Sequence, residues 1–310
     1  MLHTVTLNPA LDKTAVVENF TVDAVNRITG LREDPGGKGI NVSKVAHELG
    51  HESVAHVVLA GQTGKKISDA LAHMGIETRV FEVTGETRTI LKIVDPSLKT
   101  NTDVNEPGPI VGSEQFADFA RALTDWVARG DVVVLAGSLP KGLAPEAYAL
   151  LVASLRSLGA KVFLDADGEP LRLALKARPY LIKPNDHELA GLVGHELPSV
   201  ADIAQAAKDL VAGGIERVVV SMGGEGALFV TADAALLAKA PKVKVGSTVG
   251  AGDSVVAALA CAEISGIPLE EAARLAVATG SANVMCSGTQ AASREAVEAL
   301  LPQVTLEPLA

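Results

Sequence analysis

Aromatic side chains are scarce in this chain of 310 residues, only 3% of the total, with a single tryptophan. Basic residues are in deficit as well: 27 Lys and Arg against 37 Asp and Glu give a formal net charge of −10. Nucleic-acid binding draws on a basic face and on rings that stack against bases, so both shortages argue against such a partner. Cysteine is nearly absent, and Cys261 and Cys286 each lie in apolar helical surroundings. They read as small core residues in a reducing compartment, and a cytoplasmic location is the expectation. No apolar run approaches the length of a membrane span, so no membrane partner is expected. The first residues lack the basic start and apolar length of a secretion signal. What is plentiful is aliphatic. With 48% hydrophobic residues, the chain can bury a substantial core in one large α/β domain or two smaller ones. An acidic protein of this kind must hold anionic ligands with local cations, metal ions and helix ends.

The pattern of apolar residues predicts a strand at 3–7, a helix at 40–49, a buried strand at 54–59 and a helix carrying Ile67, Leu71 and Met74. From residue 113 it alternates regularly. A helix at 113–129 precedes the strand Val132 to Ala136; 145–158 precedes Val162 to Leu164; 169–176 precedes Tyr180 to Lys183. Helices at 187–193 and 200–213 lead to the strand Arg217 to Ser221 and a hairpin at 227–231 and 235–239. Helices at 252–265, 269–284 and 292–300 close the chain. Strands interleaved with helices imply a parallel sheet with right-handed crossovers, and unalternating apolar strands imply burial on both faces. The pieces 12–32 and 88–105 differ, being short, β-like and polar with no helix between their strands; the first reads as strands at 12–20 and 26–32 around a short polar turn, followed by a polar, Gly-rich joint from Glu33 to Gly39. They predict a small sheet built from two excursions, lying over a single main domain as a lid.

One stretch stands out, Thr248-Val-Gly-Ala-Gly-Asp-Ser254 followed by the apolar run Val255 to Ala262. Gly250, Ala251 and Gly252 can turn tightly and open a buried helix. Its first N–H groups and positive dipole end then form an anion site, with phosphate as a natural occupant. Asp253 beside them is suited to take a proton from a hydroxyl that attacks phosphorus. Its place at a helix N-terminus predicts a depressed pKa. The alternative is that Asp253 or Ser254 merely caps a core helix.

Polar and glycine residues gather at the strand ends, the edge where open α/β sheets bind ligands. Asp12, Gly36-Gly37-Lys38, Asn41, Gly137-Ser138, Lys183, Asn185, Glu188, Ser221 to Gly226 and Gly250 to Asp253 are expected to converge there. Singly, each has a plainer reading: Asp12 and Asn41 as turn or cap residues, Lys183 as a solvated strand end, Gly223-Gly224 as a turn. Their shared position at strand ends favours the site.

Five ordered motifs then carry a resemblance over essentially the whole chain: Asn8-Pro-Ala-Leu-Asp12, Gly36-Gly-Lys-Gly-Ile-Asn-Val42, Gly137-Ser-Leu-Pro140, Lys183-Pro-Asn-Asp-His-Glu188 and Thr248 to Ser254. In order and spacing they resemble the ribokinase-like (PfkB) carbohydrate kinases. The Asn8-Pro9 start, Gly37-Lys38-Gly39 and Thr87-Arg88 are most similar to the hexose-phosphate branch of that family. The resemblance implies a ribokinase-like three-layer sandwich with a mostly parallel sheet and a β lid. It further implies an ATP-dependent, Mg²⁺-assisted kinase acting on a sugar phosphate, fructose 1-phosphate to fructose 1,6-bisphosphate.

By the same resemblance Asp253 is the base, and the N–H groups of Gly250, Ala251 and Gly252 form the anion hole. Asp12, Gly37, Asn41 and Ser138 face the sugar, with Lys38 and Arg88 on its phosphate. Lys183, Asn185, Ser221, Gly223, Gly224, Gly226 and Gly252 hold the nucleotide, and Glu188 organises Mg²⁺ through water. Ser247, Val249, Asn283, Cys286 and Gly288 match the positions where many relatives bind K⁺ through carbonyls. Other substrates stay open within the family, namely tagatose 6-phosphate, fructose 6-phosphate or a nucleoside, and outside it stands a non-catalytic sugar-phosphate sensor. A dinucleotide oxidoreductase is disfavoured, because no G-x-G-x-x-G follows the first strand. The exposed edges of the lid strands suggest a homodimer clasped through the lids.

Overall fold

The computed structural model of this chain describes residues 1–286 and 290–309. The chain opens with β1 (Leu2–Thr6), β2 (Ala10–Val16) and β3 (Gly30–Gly36), then α1 (Lys38–Glu48), β4 (Ser53–Leu59), α2 (Gly61–His73) and β5 (Glu77–Glu82). Next come β6 (Arg88–Asp95), β7 (Thr100–Asn105), α3 (Ser113–Trp126), β8 (Val132–Ala136), α4 (Ala147–Ser157), β9 (Lys161–Asp165) and α5 (Gly168–Ala174). The strand β10 (Leu181–Ile182), α6 (Asp186–Val193), α7 (Val200–Ala212), β11 (Arg217–Ser221), β12 (Ala227–Val230) and β13 (Ala235–Lys239) follow. Last are α8 (Ala251–Ser265), α9 (Leu269–Val284), α10 (Arg294–Leu300) and β14 (Thr305–Pro308).

Ten strands form the main sheet in the order β14-β13-β12-β11-β10-β9-β8-β1-β4-β5. From β11 to β5 all pairs are parallel, while β12, β13 and β14 pair antiparallel at one edge. The chain winds outward from β1 to β4 and β5, then returns to place β8 on the other side of β1. That reversal opens a crevice beyond the carboxyl ends of β1 and β8, where a doubly wound sheet binds its ligand.

The sheet is buried on both faces because its strands are apolar on both. Val5, Val133 and Leu135 pack under α3 and α4 with Phe119, Leu123 and Tyr148. Leu2, Val132 and Val134 face the opposite way, under α1, α8 and α9 with Val42, Val256 and Ala273. Helix α8 is buried from Asp253 through Ala262, and its small residues let it press close to the sheet. Each fully buried Val or Leu contributes about 1.5–3 kcal/mol, so this contact fixes the helix firmly. Among the described residues, no helix is long and apolar enough to cross a membrane.

The second sheet has the order β3-β2-β6-β7, antiparallel at both edges and parallel at its centre. Its first excursion differs from the sequence expectation of strands at 12–20 and 26–32. Residues 17–29 form a loop, with Asn19 and Asp23 at positive φ and Asn26 hydrogen-bonded back to Thr21. The polar run Glu33-Asp34-Pro35, expected to be a joint, lies inside β3. An edge strand tolerates proline, and Glu33 is held by Lys13 across the pair at 3.2 Å. Strand β14 was not expected either, since Thr305 to Pro308 has no apolar alternation.

Candidate active site

Helix α8 begins at a left-handed Gly250, with φ of 82°. The Gly250 carbonyl accepts from Ser254 N and Oγ, both at 2.9 Å, which closes the first turn from inside. Ala251 N leans weakly on Thr248 O at 3.4 Å. Among the described residues, the N–H groups of Gly250, Gly252 and Asp253 have no partner, as expected of a helix end that awaits an anion.

Asp253 sits in that first turn, 6% exposed, with Oδ2 accepting from Asn41 Nδ2 at 2.8 Å. Its pKa is pushed up to about 6, first by burial and next by the charge of Asp165. This corrects the expectation of a depressed value. A helix end favours a carboxylate by about 0.3–1 kcal/mol, less than the cost of taking the charge out of water.

Asp165, at the end of β9, is 3% exposed and accepts from Lys38 Nζ at 3.3 Å, with Lys183 Nζ at 3.7 Å. Burial pulls Lys38 down, but the charges of Asp165 and Asp253 outweigh it and hold the amine above its ordinary value. A side chain on Gly252 would begin 3.1 Å from Lys183 Nζ, so glycine there lets the amine overhang the helix end. Two ammonium groups, three free N–H groups and the carboxylates of Asp165 and Asp253 thus share a small volume.

Beside them, Asn185 and Glu188 form a reciprocal cap on α6: Glu188 N donates to Asn185 Oδ1 at 2.7 Å, and Asn185 N donates to Glu188 Oε2 at 2.8 Å. That fixes one carboxylate oxygen and leaves Oε1 for a ligand. Ser221 is tied alongside through its N–H to Pro184 O at 3.1 Å. Asn185, Glu188 and Ser221 line a single cavity of about 590 Å³ together with Lys38, Lys183, Gly250, Gly252 and Asp253. Gly223, Gly224 and Gly226 form the turn behind Ser221 and do not line it, and neither does Ala251.

The other end of the same cavity takes Asp12, Gly37, Asn41, Arg88 and Ser138 from β2, the turn before α1, α1 itself, β6 and the turn after β8. Asp12 is pushed up to about 6, by burial first, against the pull of Lys44. Gly36 makes room for it, since a side chain there would meet the Asp12 carboxylate at 2.3 Å. Arg88 donates from Nη2 to Asn8 O at 3.0 Å and from Nε to Pro9 O at 3.4 Å. One edge of the guanidinium is pinned and the other is left for a ligand. Lys38 and Arg88, expected to share one phosphate, are held by different partners: Lys38 lies with Asp165 and Arg88 with the Asn8–Pro9 backbone.

Three further oxygens on this side, Thr6 Oγ1, Asn8 Oδ1 and Asn41 Oδ1, are buried without a partner. Thr6, Asn8 and Asp165 line the cavity yet were not assigned to the site from sequence. The signal for Asp165 was available: a carboxylate closing an apolar strand at the ligand edge of the sheet. At the carbonyl-lined turn, Val249 O accepts from Asn283 Nδ2 at 3.1 Å and Asn283 O accepts from Cys286 N at 2.9 Å. Cys286 O faces Gly246, and Val249 N donates to Ser247 Oγ at 3.2 Å. Gly288 lies outside the described residues. No three His, Cys, Asp or Glu side chains among the described residues are placed to hold a metal by themselves.

The chain matches the pfkB family carbohydrate kinase domain over residues 6–296. It is 41% identical to 1-phosphofructokinase of Rhodobacter capsulatus, covering 99% of this chain and 98% of that protein. It is 40% identical to 1-phosphofructokinase of Bacillus subtilis (strain 168), covering 100% of both. Phosphofructokinase-2 from Escherichia coli, solved in complex with substrates and products, superposes with a TM-score of 0.93 at 32% identity, covering 97% of this chain and 98% of that one. On both sequence and architecture, this chain belongs to the pfkB family of carbohydrate kinases.

Proposed function

We propose that the chain is an ATP-dependent kinase that converts fructose 1-phosphate to fructose 1,6-bisphosphate. The observation that carries this is the polarity of the cavity around Asp253. At one end, free N–H groups and two lysines suit a transferring phosphoryl group. At the other, Arg88 offers an unused edge suited to bidentate capture of a second phosphate. Between them, Asp253, Asp12 and Asn41 present acceptors to sugar hydroxyls. The relatives named 1-phosphofructokinase support this choice of sugar phosphate.

In this mechanism the hydroxyl remote from the sugar's phosphate attacks the terminal phosphorus of ATP in line. Its proton passes to Asp253 Oδ1 as the new O–P bond forms, and the bond to the departing ADP breaks. Asn41 keeps Asp253 oriented through Oδ2. Lys38 and Lys183 neutralise charge on the transferring group, Lys38 being reassigned here from the remote phosphate. Ser221 and Asn185 border the nucleotide. Glu188 Oε1 suits a Mg²⁺ ion held mainly by phosphates and water, which would draw charge from the β- and γ-oxygens. The second lone pair of the Val249 carbonyl, together with the Cys286 carbonyl, suits K⁺ beside the helix end. The small sheet serves as the lid, and two copies pair through it.

A coupled ADP-release assay across fructose 1-phosphate, fructose 6-phosphate, tagatose 6-phosphate, fructose and adenosine tests the reading. The highest kcat/KM is expected for fructose 1-phosphate. Preference for another phosphorylated ketohexose would replace the substrate, and no turnover on any of them would end the proposal.

A further inference from the structure

Asn8 opens the first motif, yet nothing in the mechanism above uses its side chain. It stands two residues beyond the end of β1, as Ser138 stands two residues beyond the end of the neighbouring β8. The two residues therefore face each other across the crevice where the winding of the sheet reverses. Asn8 is 9% exposed, and its Nδ2 donates to Ser138 Oγ at 3.1 Å and approaches Leu139 O at 3.5 Å. A carbonyl can only accept, so Leu139 O requires the amide nitrogen, not the oxygen, on that side. Oδ1 points the other way, towards Gly108, where a side chain would come within 2.9 Å of it.

This orientation has a chemical consequence. A serine hydroxyl that accepts from Asn8 keeps its own proton to give away. Arg88, pinned by the carbonyl of the same asparagine, has donors and no acceptor. We propose that Asn8 is a positioning residue that turns the Ser138 hydroxyl proton towards the cleft, so that Ser138 and Arg88 together present donors that favour a phosphate dianion over a neutral hydroxymethyl group. A phosphate dianion can accept from all of these donors at once, whereas a single hydroxyl oxygen accepts from at most two. The proposal rests on the sugar-phosphate kinase reading, and it makes Asn8 a determinant of substrate class without requiring that it touch the substrate.

Steady-state kinetics on the full chain with fructose 1-phosphate and ATP provide the test, in wild type, Asn8→Ala, Asn8→Asp, Ser138→Ala and the two double variants. Loss of one charge-assisted hydrogen bond predicts a rise of about 10-fold in KM for fructose 1-phosphate in Asn8→Ala. Asn8→Asp keeps the shape but accepts the serine proton, so its rise should be larger, on the order of 100-fold. KM for ATP should stay within about twofold in both. In the Ser138→Ala background, Asn8→Ala should add almost nothing.

A packing role predicts the reverse order, with the isosteric aspartate milder than alanine. Either that order, or an equal rise in KM for ATP, or full additivity with Ser138→Ala overturns the proposal. If Asn8→Ala fails to fold, Asn8→Asp with and without Ser138→Ala still decides, because its effect should shrink when the serine is gone. Absence of turnover by wild type on fructose 1-phosphate would instead fail the kinase reading, which this set separates from failure of the Asn8 role.

Discussion

In the proposed mechanism Asp253 takes a proton while buried, and its surroundings set competing demands on that carboxylate. Burial and Asp165 raise it to about 6, which makes it a stronger base than an exposed aspartate while leaving it mostly ionised at neutral pH. The proposed mechanism needs the deprotonated form, so kcat/KM should fall as pH drops through about 6. Asp165→Asn removes a charge that raises Asp253, so the acid limb of the pH profile should move to lower pH. The same change unties Lys38 and Lys183 and should raise KM for ATP. A limb that stays or moves upward would contradict the coupling. At the far end, Arg88→Ala should raise KM for fructose 1-phosphate by about 10- to 100-fold, the worth of a charge-assisted pair, with KM for ATP nearly unchanged. Equal effects on both substrates would count against the role of Arg88. The residue types at this site were legible in the sequence, because glycines and carboxylates recur together at the ends of several apolar strands, the edge where such a sheet binds ligands. Their partners were not. No linear pattern shows that Lys38 turns to Asp165, or that burial outweighs the helix end at Asp253.

At the scale of elements, legibility tracked burial. Helix α8 and strands β8, β9 and β11 were readable because both faces are covered and the apolar run marks them. The small sheet was blurred by one strand register, since β3 is an exposed edge whose polar residues look like a turn. The centre of the main sheet also holds a feature with no evident part in the reaction. His3 Nδ1 and His56 Nε2 lie 3.0 Å apart, and His3 Nε2 is 3.3 Å from Asp131 Oδ2. The N-terminal amine pairs with Asp131, and Glu77 and Arg79 on β5 face the pair. Burial lowers both histidines, His56 to about 3, against the pull of Asp131 on His3.

Below about 6.5 the unfolded chain therefore binds protons that the folded chain refuses, and this pair costs stability as pH falls. Asp12 and Asp253, both raised to about 6, act in the opposite sense, since the folded state takes up their protons first. His56→Gln isolates the histidine contribution. Between pH 7 and pH 5 it should lose less stability than wild type, by up to about 1.4 kcal/mol per pH unit below 6.5. Parallel loss in thermal melts at the two pH values would show that the pair does not resist protonation.

For the whole molecule, an acidic chain solves anion binding locally, by aiming lysines, one arginine and a helix end into one cleft at the reversal of the sheet. Composition announced that need without locating it. The small sheet bears on assembly as well. Val22 and Val25, in the loop between β2 and β3, are 83% and 81% exposed, and Ile28 and Leu31 are more than half exposed. Such apolar exposure beside a free strand edge fits pairing with a second copy. Light scattering should give twice the mass of the 310-residue chain, and Val25→Asp should shift it towards the monomer. A monomeric wild type would refute the lid-to-lid dimer.

Everything in the proposed mechanism passes through one proton transfer to Asp253. Single-turnover kinetics of Asp253→Asn with fructose 1-phosphate, alongside calorimetric binding of ATP, address that step directly. Removing a general base predicts a fall of about 10²–10⁴-fold in the rate of phosphoryl transfer, with ATP affinity kept within a few-fold. A rate within about tenfold of wild type would place the base elsewhere and contradict the account.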